Sequence, residues 1–223
     1  MKKTVVCAAL ALAAGLSAQV ATQANAGYQT PEARQKMAKT LSDPKRDLVQ
    51  KPGQLMVQMG LKPGMTVADV GTGVGHMLPF LSRRVGDQGH VIAEDIFDDF
   101  LTDAKQVAAN QKLANVTFVK GAEDDPKLPE GHVDMVLAFD VYHHFNYPEK
   151  MLVGIHQALR PDGRLIVVEY YKRESAMPNG AALTHIRLDM PDLIKELEAN
   201  HFHLVEERER IKDVEYMLIL EKS

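Results

Sequence analysis

The amino-acid sequence predicts an α/β domain in which a mostly parallel sheet carries helices on both faces and ends in an antiparallel hairpin. Three observations point there. Strand-length apolar runs alternate with helix-length segments from Thr66 to Glu169. The first strand-to-helix turn is the glycine-rich run Asp69-Val70-Gly71-Thr72-Gly73-Val74-Gly75, and the last two strand-like runs are joined by a short turn. With 223 residues, 45% of them hydrophobic and 25% charged, the chain can build one sizeable core, and a second large domain is not expected.

Lys2 and Lys3 precede an apolar run from Val5 to Leu16, and a polar stretch then ends in Ala24-Asn25-Ala26. That layout predicts a secretory signal peptide over residues 1–26, cleaved after Ala26. The run is too short for a membrane anchor, because a span takes about 20 apolar residues. Cleavage would remove Cys7, the single cysteine, leaving no disulfide, thiolate ligand or thiol nucleophile. Lys2 and Lys3 would leave too, so that 24 basic residues face 30 acidic ones at a formal net charge near −6. No basic run exceeds Ser82-Arg83-Arg84 or Tyr171-Lys172-Arg173, which argues against a nucleic-acid partner. The expected location is periplasmic or secreted, without stable membrane association after cleavage.

Thr30 is placed to cap a helix over Pro31–Leu41, and Ser42-Asp43-Pro44 breaks it. Helical segments follow at Arg46–Gln50 and Gln54–Met59, so residues 27–60 read as a helical preamble to a domain over 61–223. A buried strand is expected at Thr66–Val70, then a helix near Met77–Val85, a strand at His90–Ala93 and a helix near Phe97–Asn110. Strands at Val116–Lys120 and Val133–Phe139 lead to a helix at Pro148–Leu159. Arg160-Pro161-Asp162-Gly163 ends that helix and turns into a strand at Arg164–Glu169. A helix near Met190–Asn200 and strands near His203–Glu209 and Glu215–Glu221 complete the chain, seven strands in all.

Glycines at the first strand-to-helix turn let backbone approach a ligand without side chains in the way. The second strand is followed by Glu94-Asp95, and Asp95 lies 20 residues after Gly75, where a carboxylate can accept hydrogen bonds from both ribose hydroxyls. A dinucleotide fingerprint needs G-x-G-x-x-G, and His76 occupies the third glycine position, which weakens a nicotinamide reading. Asp69 stands before the loop, poised to help hold an ammonium group.

In these motifs the sequence resembles the class I methyltransferases that use S-adenosylmethionine, over nearly all of residues 43–221. The resemblance implies their Rossmann-like fold, S-adenosyl-L-methionine as cofactor and a methyl acceptor, expected to be a small molecule. It implies that Asp69, Gly71, Thr72, Gly73 and Gly75 line the methionine portion and that Asp95, with Ile96 beside it, grips the ribose. Gly121-Ala122-Glu123-Asp124 is similar to the loop that receives adenine. Ala122 stands where the family often has an acid, so the side-chain role falls to Glu123 or Asp124. Phe139-Asp140-Val141-Tyr142-His143-His144-Phe145 resembles the fourth-strand motif that reaches the sulfonium side and the acceptor pocket.

Methyl transfer from a sulfonium is an in-line displacement that requires neither a metal nor a covalent enzyme intermediate, so positioning supplies most of the benefit. The acceptor must lose a proton, and His143 or His144 could take it, with Asp140 or Tyr142 orienting the ring. A metal on the paired histidines, with Asp140 or with His201 and His203, is disfavoured, because adjacent strand residues point to opposite faces. Tyr28, Tyr170 and Tyr171 are candidates to cover the acceptor site, and Glu206–Arg210 reads as a solvated strand edge. Export leaves a cofactor made inside the cell in short supply. A non-catalytic exported nucleoside-binding protein that retains the fold therefore stands as the alternative.

Overall fold

The computed structural model describes residues 19–223. The expected signal segment therefore lies outside the described residues as far as residue 18. The described residues open with a 3₁₀ turn at Ala24–Tyr28, then α1 (Pro31–Leu41), α2 (Arg46–Gln50) and α3 (Pro52–Gln58). Thr30 caps α1 by accepting from the Ala33 N–H. The gap between the helices expected at Arg46–Gln50 and Gln54–Met59 narrows to Lys51 alone, which adopts φ 43°, because Pro52 begins α3 at the position where its missing N–H costs nothing.

The alternating units follow as β1 (Thr66–Val70), α4 (Leu78–Val85), β2 (His90–Asp95), α5 (Asp98–Asn110), β3 (Val116–Lys120), β4 (Val133–Phe139), α6 (Pro148–Ala158) and β5 (Leu159–Tyr170). A one-turn α7 (Ala182–His185), α8 (Met190–Ala199), β6 (Phe202–Ile211) and β7 (Glu215–Lys222) complete the chain. The strands form one sheet in the order β3-β2-β1-β4-β5-β7-β6. β1 to β5 are parallel and β7 runs antiparallel to both β5 and β6, as expected from the sequence.

Two strand limits move. β2 runs on to Asp95, so the acidic pair belongs to the strand itself. β5 begins at Leu159, and Arg160–Gly163 forms an irregularity inside it where the expected free turn would stand, with the register to β4 jumping from Val133↔Leu159 to Met135↔Arg164.

Side chains alternate across the sheet to build two apolar layers. Ala68, Val70, Val136, Leu165 and Val167 meet Leu152 and Ile155 of α6 and Leu193 and Leu197 of α8. Val67, Val91, Leu137, Ile166 and Val168 meet Leu55 of α3, Leu78, Leu81 and Val85 of α4, and Ala104 of α5. α3 thus contributes to the core although it lies in the preamble. β6 is the sheet edge, and its charge run does more than face water: Arg208 and Arg210 donate to the Gln58 and Gln50 carbonyls at the ends of α3 and α2. Among the described residues no helix is long and apolar enough to cross a membrane.

Candidate active site

The strand order reverses beside β1, and in open α/β sheets ligands occupy the crevice at such a switch, beyond the carboxyl ends of the strands. Here that crevice is a cavity of about 500 Å³. Asp69, Gly71, Thr72, Gly73, Asp95, Ile96, Ala122, Glu123, Asp140, His143 and His144 all line it.

The glycine loop leaves β1 with Gly71 at φ 70°, and a Cβ there would lie 2.3 Å from Val141 Cγ2. Glycine is required at this position by the close approach of the chain leaving β4. Gly75 departs from expectation. It does not line the cavity; a Cβ on it would meet the Ala104 backbone at 3.0 Å, so it lets the loop pack on α5. The local pattern could not distinguish a glycine facing ligand from one facing a helix.

Asp95 is held by two backbone donors: the Gly73 N–H reaches Oδ2 and the Phe97 N–H reaches Oδ1, both at 2.9 Å. Each oxygen keeps a free acceptor position, and burial pushes the carboxyl up to about 6. Asp69 accepts the Thr72 hydroxyl at 2.7 Å, and burial, only partly offset by that bond, raises it to about 7. Glu94, which the sequence reading left without a role, accepts the Gly71 N–H through Oε2 and has an unpartnered Oε1.

In the loop after β3, Ala122 and Glu123 line the cavity and Asp124 does not. Asp124, expected as one of two side chains toward adenine, is instead held by Lys150 at 3.0 Å and does not line the cavity. The Ala122 N–H is spent on the Asp125 carbonyl, which leaves Glu123 as the loop's remaining cavity residue.

His143 and His144 do not extend β4; they lie in a 3₁₀ turn, Tyr142–His144, that puts both rings on the cavity with centroids 4.1 Å apart. Strand alternation therefore does not separate them. The orienting groups also differ from the expected Asp140 and Tyr142. Glu169 Oε2 accepts both the backbone N–H of His143, at 3.1 Å, and its Nδ1–H, at 2.7 Å. Tyr142 donates its hydroxyl to Glu196 instead, and Asp140 faces Arg46 at 3.8 Å. Of the three tyrosines, Tyr28 and Tyr170 line the cavity, while Tyr171 packs on Tyr216.

Asn25 Oδ1 lies 2.8 Å from His144 Nδ1, and Asn25 Nδ2 donates to the His144 carbonyl and to Asn146 Oδ1. The amide is thereby oriented, so His144 carries its proton on Nδ1 and presents Nε2 as a lone pair. Burial lowers both histidines well below the usual range, so they are neutral. His185, from the short α7, completes the group, its Nε2 3.1 Å from His143 Nε2. Asn25, Glu169, His185 and Arg46 come from four segments with no local motif.

A Rossmann-like sheet with a glycine loop and a strand-end acid at its switch point defines a nucleoside-dependent α/β enzyme. Residues 61–219 match the family described as methyltransferase domain, and the chain belongs to that family, as a class I S-adenosylmethionine-dependent methyltransferase. A ubiquinone/menaquinone biosynthesis C-methyltransferase, UbiE, from Vibrio campbellii is 32% identical over 114 residues, 51% of this chain and 44% of that protein. Its counterpart from Marinomonas sp. is also 32% identical, over 54% of this chain and 48% of that protein. This chain thus spans less than half the length of these curated relatives. Among solved structures, a SAM dependent methyltransferase from Aquifex aeolicus aligns with TM-score 0.78 at 27% identity, covering 84% of this chain and 98% of that one. A TehB-like SAM-dependent methyltransferase from Corynebacterium glutamicum shares the fold at TM-score 0.62 and 17% identity, covering 87% and 100%.

The cavity fits the cofactor that the family implies. An ammonium and two ribose hydroxyls need carboxylates in a site of limited water, and Asp69 and Asp95 are carboxyls that line the cavity and are raised by their burial. Replacing Asp95 by alanine is expected to weaken S-adenosylmethionine binding by about 1.5–3 kcal/mol through loss of charge-assisted hydrogen bonds. Calorimetry checks this, and unchanged affinity would remove Asp95 from the ribose.

Proposed function

We propose that this methyltransferase modifies a small molecule with an apolar body and one ionisable hydroxyl or amine. The observation that carries the reading is the continuity of the cavity: the glycine loop and Asp95 share it with His144 and with an apolar wall of Met37, Leu41, Val141, Phe145 and Met177. Bound S-adenosylmethionine supplies an electrophilic methyl group on sulfur. The chain's own task is to hold the acceptor in line, exclude water and take its proton. His144 is suited to the last step, being neutral with Nε2 unprotonated. Tyr28 covers its ring at a centroid distance of 4.9 Å.

The UbiE relatives are C-methyltransferases by name. A ring carbon beside a hydroxyl is activated by the same loss of a proton, so phenols methylated at oxygen or at carbon both suit this site. The test is transfer of labelled methyl to a panel of phenols, hydroquinones and amines, with calorimetry on S-adenosylmethionine and S-adenosylhomocysteine. Failure of either nucleoside to bind at millimolar concentration would overturn the reading. Tight binding without turnover on the whole panel would favour the exported nucleoside-binding alternative.

The amino-terminal pattern supports export to the periplasm or beyond. Residues 19–26 bear on where processing falls, because the Val20 N–H donates to the Asn146 carbonyl, Ala21 and Ala24 are buried, and Asn25 orients His144. Cleavage after Ala26 would remove all of these contacts. Sequencing the terminus of the exported chain decides: a start at Gly27 is expected to come with slow turnover, and a start at or before Gln19 with full activity. Retention of the uncleaved chain in the cytoplasm would overturn the proposal of export.

A further inference from the structure

The three histidines at the acceptor end of the cavity are arranged as ligands. One ring nitrogen from each of His143, His144 and His185 lies within 4.8 Å of the other two. The Nε2 atoms of His143 and His185 are 3.1 Å apart. Two nitrogens on a tetrahedral zinc, each at about 2.0–2.1 Å, stand about 3.3 Å from one another, close to the observed separation.

The outer nitrogens strengthen the case. A histidine that binds metal through one nitrogen characteristically donates the other N–H to a carboxylate or carbonyl, which fixes the ring and its tautomer. His143 Nδ1 meets the Glu169 carboxylate at 2.7 Å, and His144 Nδ1 meets the Asn25 amide oxygen at 2.8 Å. Both partners lie on segments remote in sequence, and both leave Nε2 as a lone pair, that of His143 facing His185 Nε2 at hydrogen-bond distance in a contact that a bound cation would replace.

We propose that His143, His144 and His185 bind one divalent transition cation, zinc by preference, with its fourth position open to the cavity. Three neutral imidazoles with no carboxylate among the ligands suit zinc and its neighbours, and not magnesium or calcium, which require oxygen. The buried carboxyl of Glu169 and the half-buried one of Asp140 stand near enough to His143 to form a second candidate group with it, and they supply negative charge around a cation. Binding requires neither cofactor nor acceptor. When an acceptor is present, its hydroxyl can take the open position and lose its proton to solvent water, with His144 then a ligand and no longer the base.

The test is direct zinc binding to the full chain carrying Cys7→Ser, so that no thiol competes, with a chromophoric chelator as competitor and without any nucleoside. One equivalent is expected at sub-micromolar Kd. His185→Ala and His144→Ala should each weaken it by about 100-fold or more, and Glu169→Gln by about 10–100-fold as a positioning change. The double variant His201→Ala/His203→Ala, on exposed histidines outside the cavity, should bind as the parent does. Cobalt in place of zinc should give the intense visible spectrum of a four-coordinate site, a readout that depends on no variant. Absence of stoichiometric binding, a weak six-coordinate cobalt spectrum, or affinity unchanged in His185→Ala would each overturn the proposal. The methyl-transfer reading survives all three, since it is judged by nucleoside binding and turnover.

Discussion

Replacing Arg210 by alanine is expected to destabilise the fold by about 3–5 kcal/mol near pH 8, the usual cost of breaking a buried ion pair by removing one partner. Arg210 on β6 pairs with Glu215 on β7, and their side chains are 2% and 1% exposed. The same guanidinium donates to the Gln50 carbonyl, tying the preamble to the sheet edge. Burial already pushes Glu215 up to about 7 in spite of Arg210, so in the variant its carboxyl must titrate higher still. The unfolded chain loses that proton near 4.5. Between those values the folded state holds a proton that the unfolded state has released, so the variant is best off below about 4.5 and loses stability as pH rises through the folded value. Urea titrations at pH 5 and pH 8 check both parts. An equal loss at the two values would contradict the assignment to Glu215.

His144→Ala is expected to lower kcat by about 10²–10⁴-fold, the range for losing a general base, while S-adenosylmethionine affinity stays within about twofold. The ring makes no hydrogen bond to Asp95 or to the glycine loop, and its Nε2 lone pair is its unspent group. A bound cation leaves the expectation unchanged, because the same lone pair serves as ligand. A fall in cofactor affinity matching the fall in rate would show that the ring supports the nucleoside instead.

The parts of this molecule that were legible in advance are those governed by short-range periodicity. Hydrophobic patterning placed all seven strands: the central parallel ones are buried on both faces and leave apolar stretches, and edge strand β6 alternates exposed with less exposed residues. The limits that moved, at Asp95, Pro52 and Leu159, are set by neighbours: β2 continues because β3 pairs with it as far as Lys120, and β5 begins early because β4 does. Asp69, Gly71, Thr72, Gly73 and Asp95, which the sequence suggests meet the cofactor, all line the cavity, because one turn and one strand end carry them. Gly75 and Asp124 do not line the cavity, because a loop pattern gives positions along the chain without saying which side meets the crevice.

The sequence by itself determined the α/β class, the strand count, the glycine turn after the first strand and the methyltransferase family. Only the tertiary structure decided which groups attend the two histidines. Asn25, Glu169 and His185 lie 119, 26 and 42 residues from their partners along the chain. The physical reason is that helix and strand formation are local, whereas the tautomer and basicity of a buried imidazole depend on whatever the sheet brings within about 3 Å of its nitrogens.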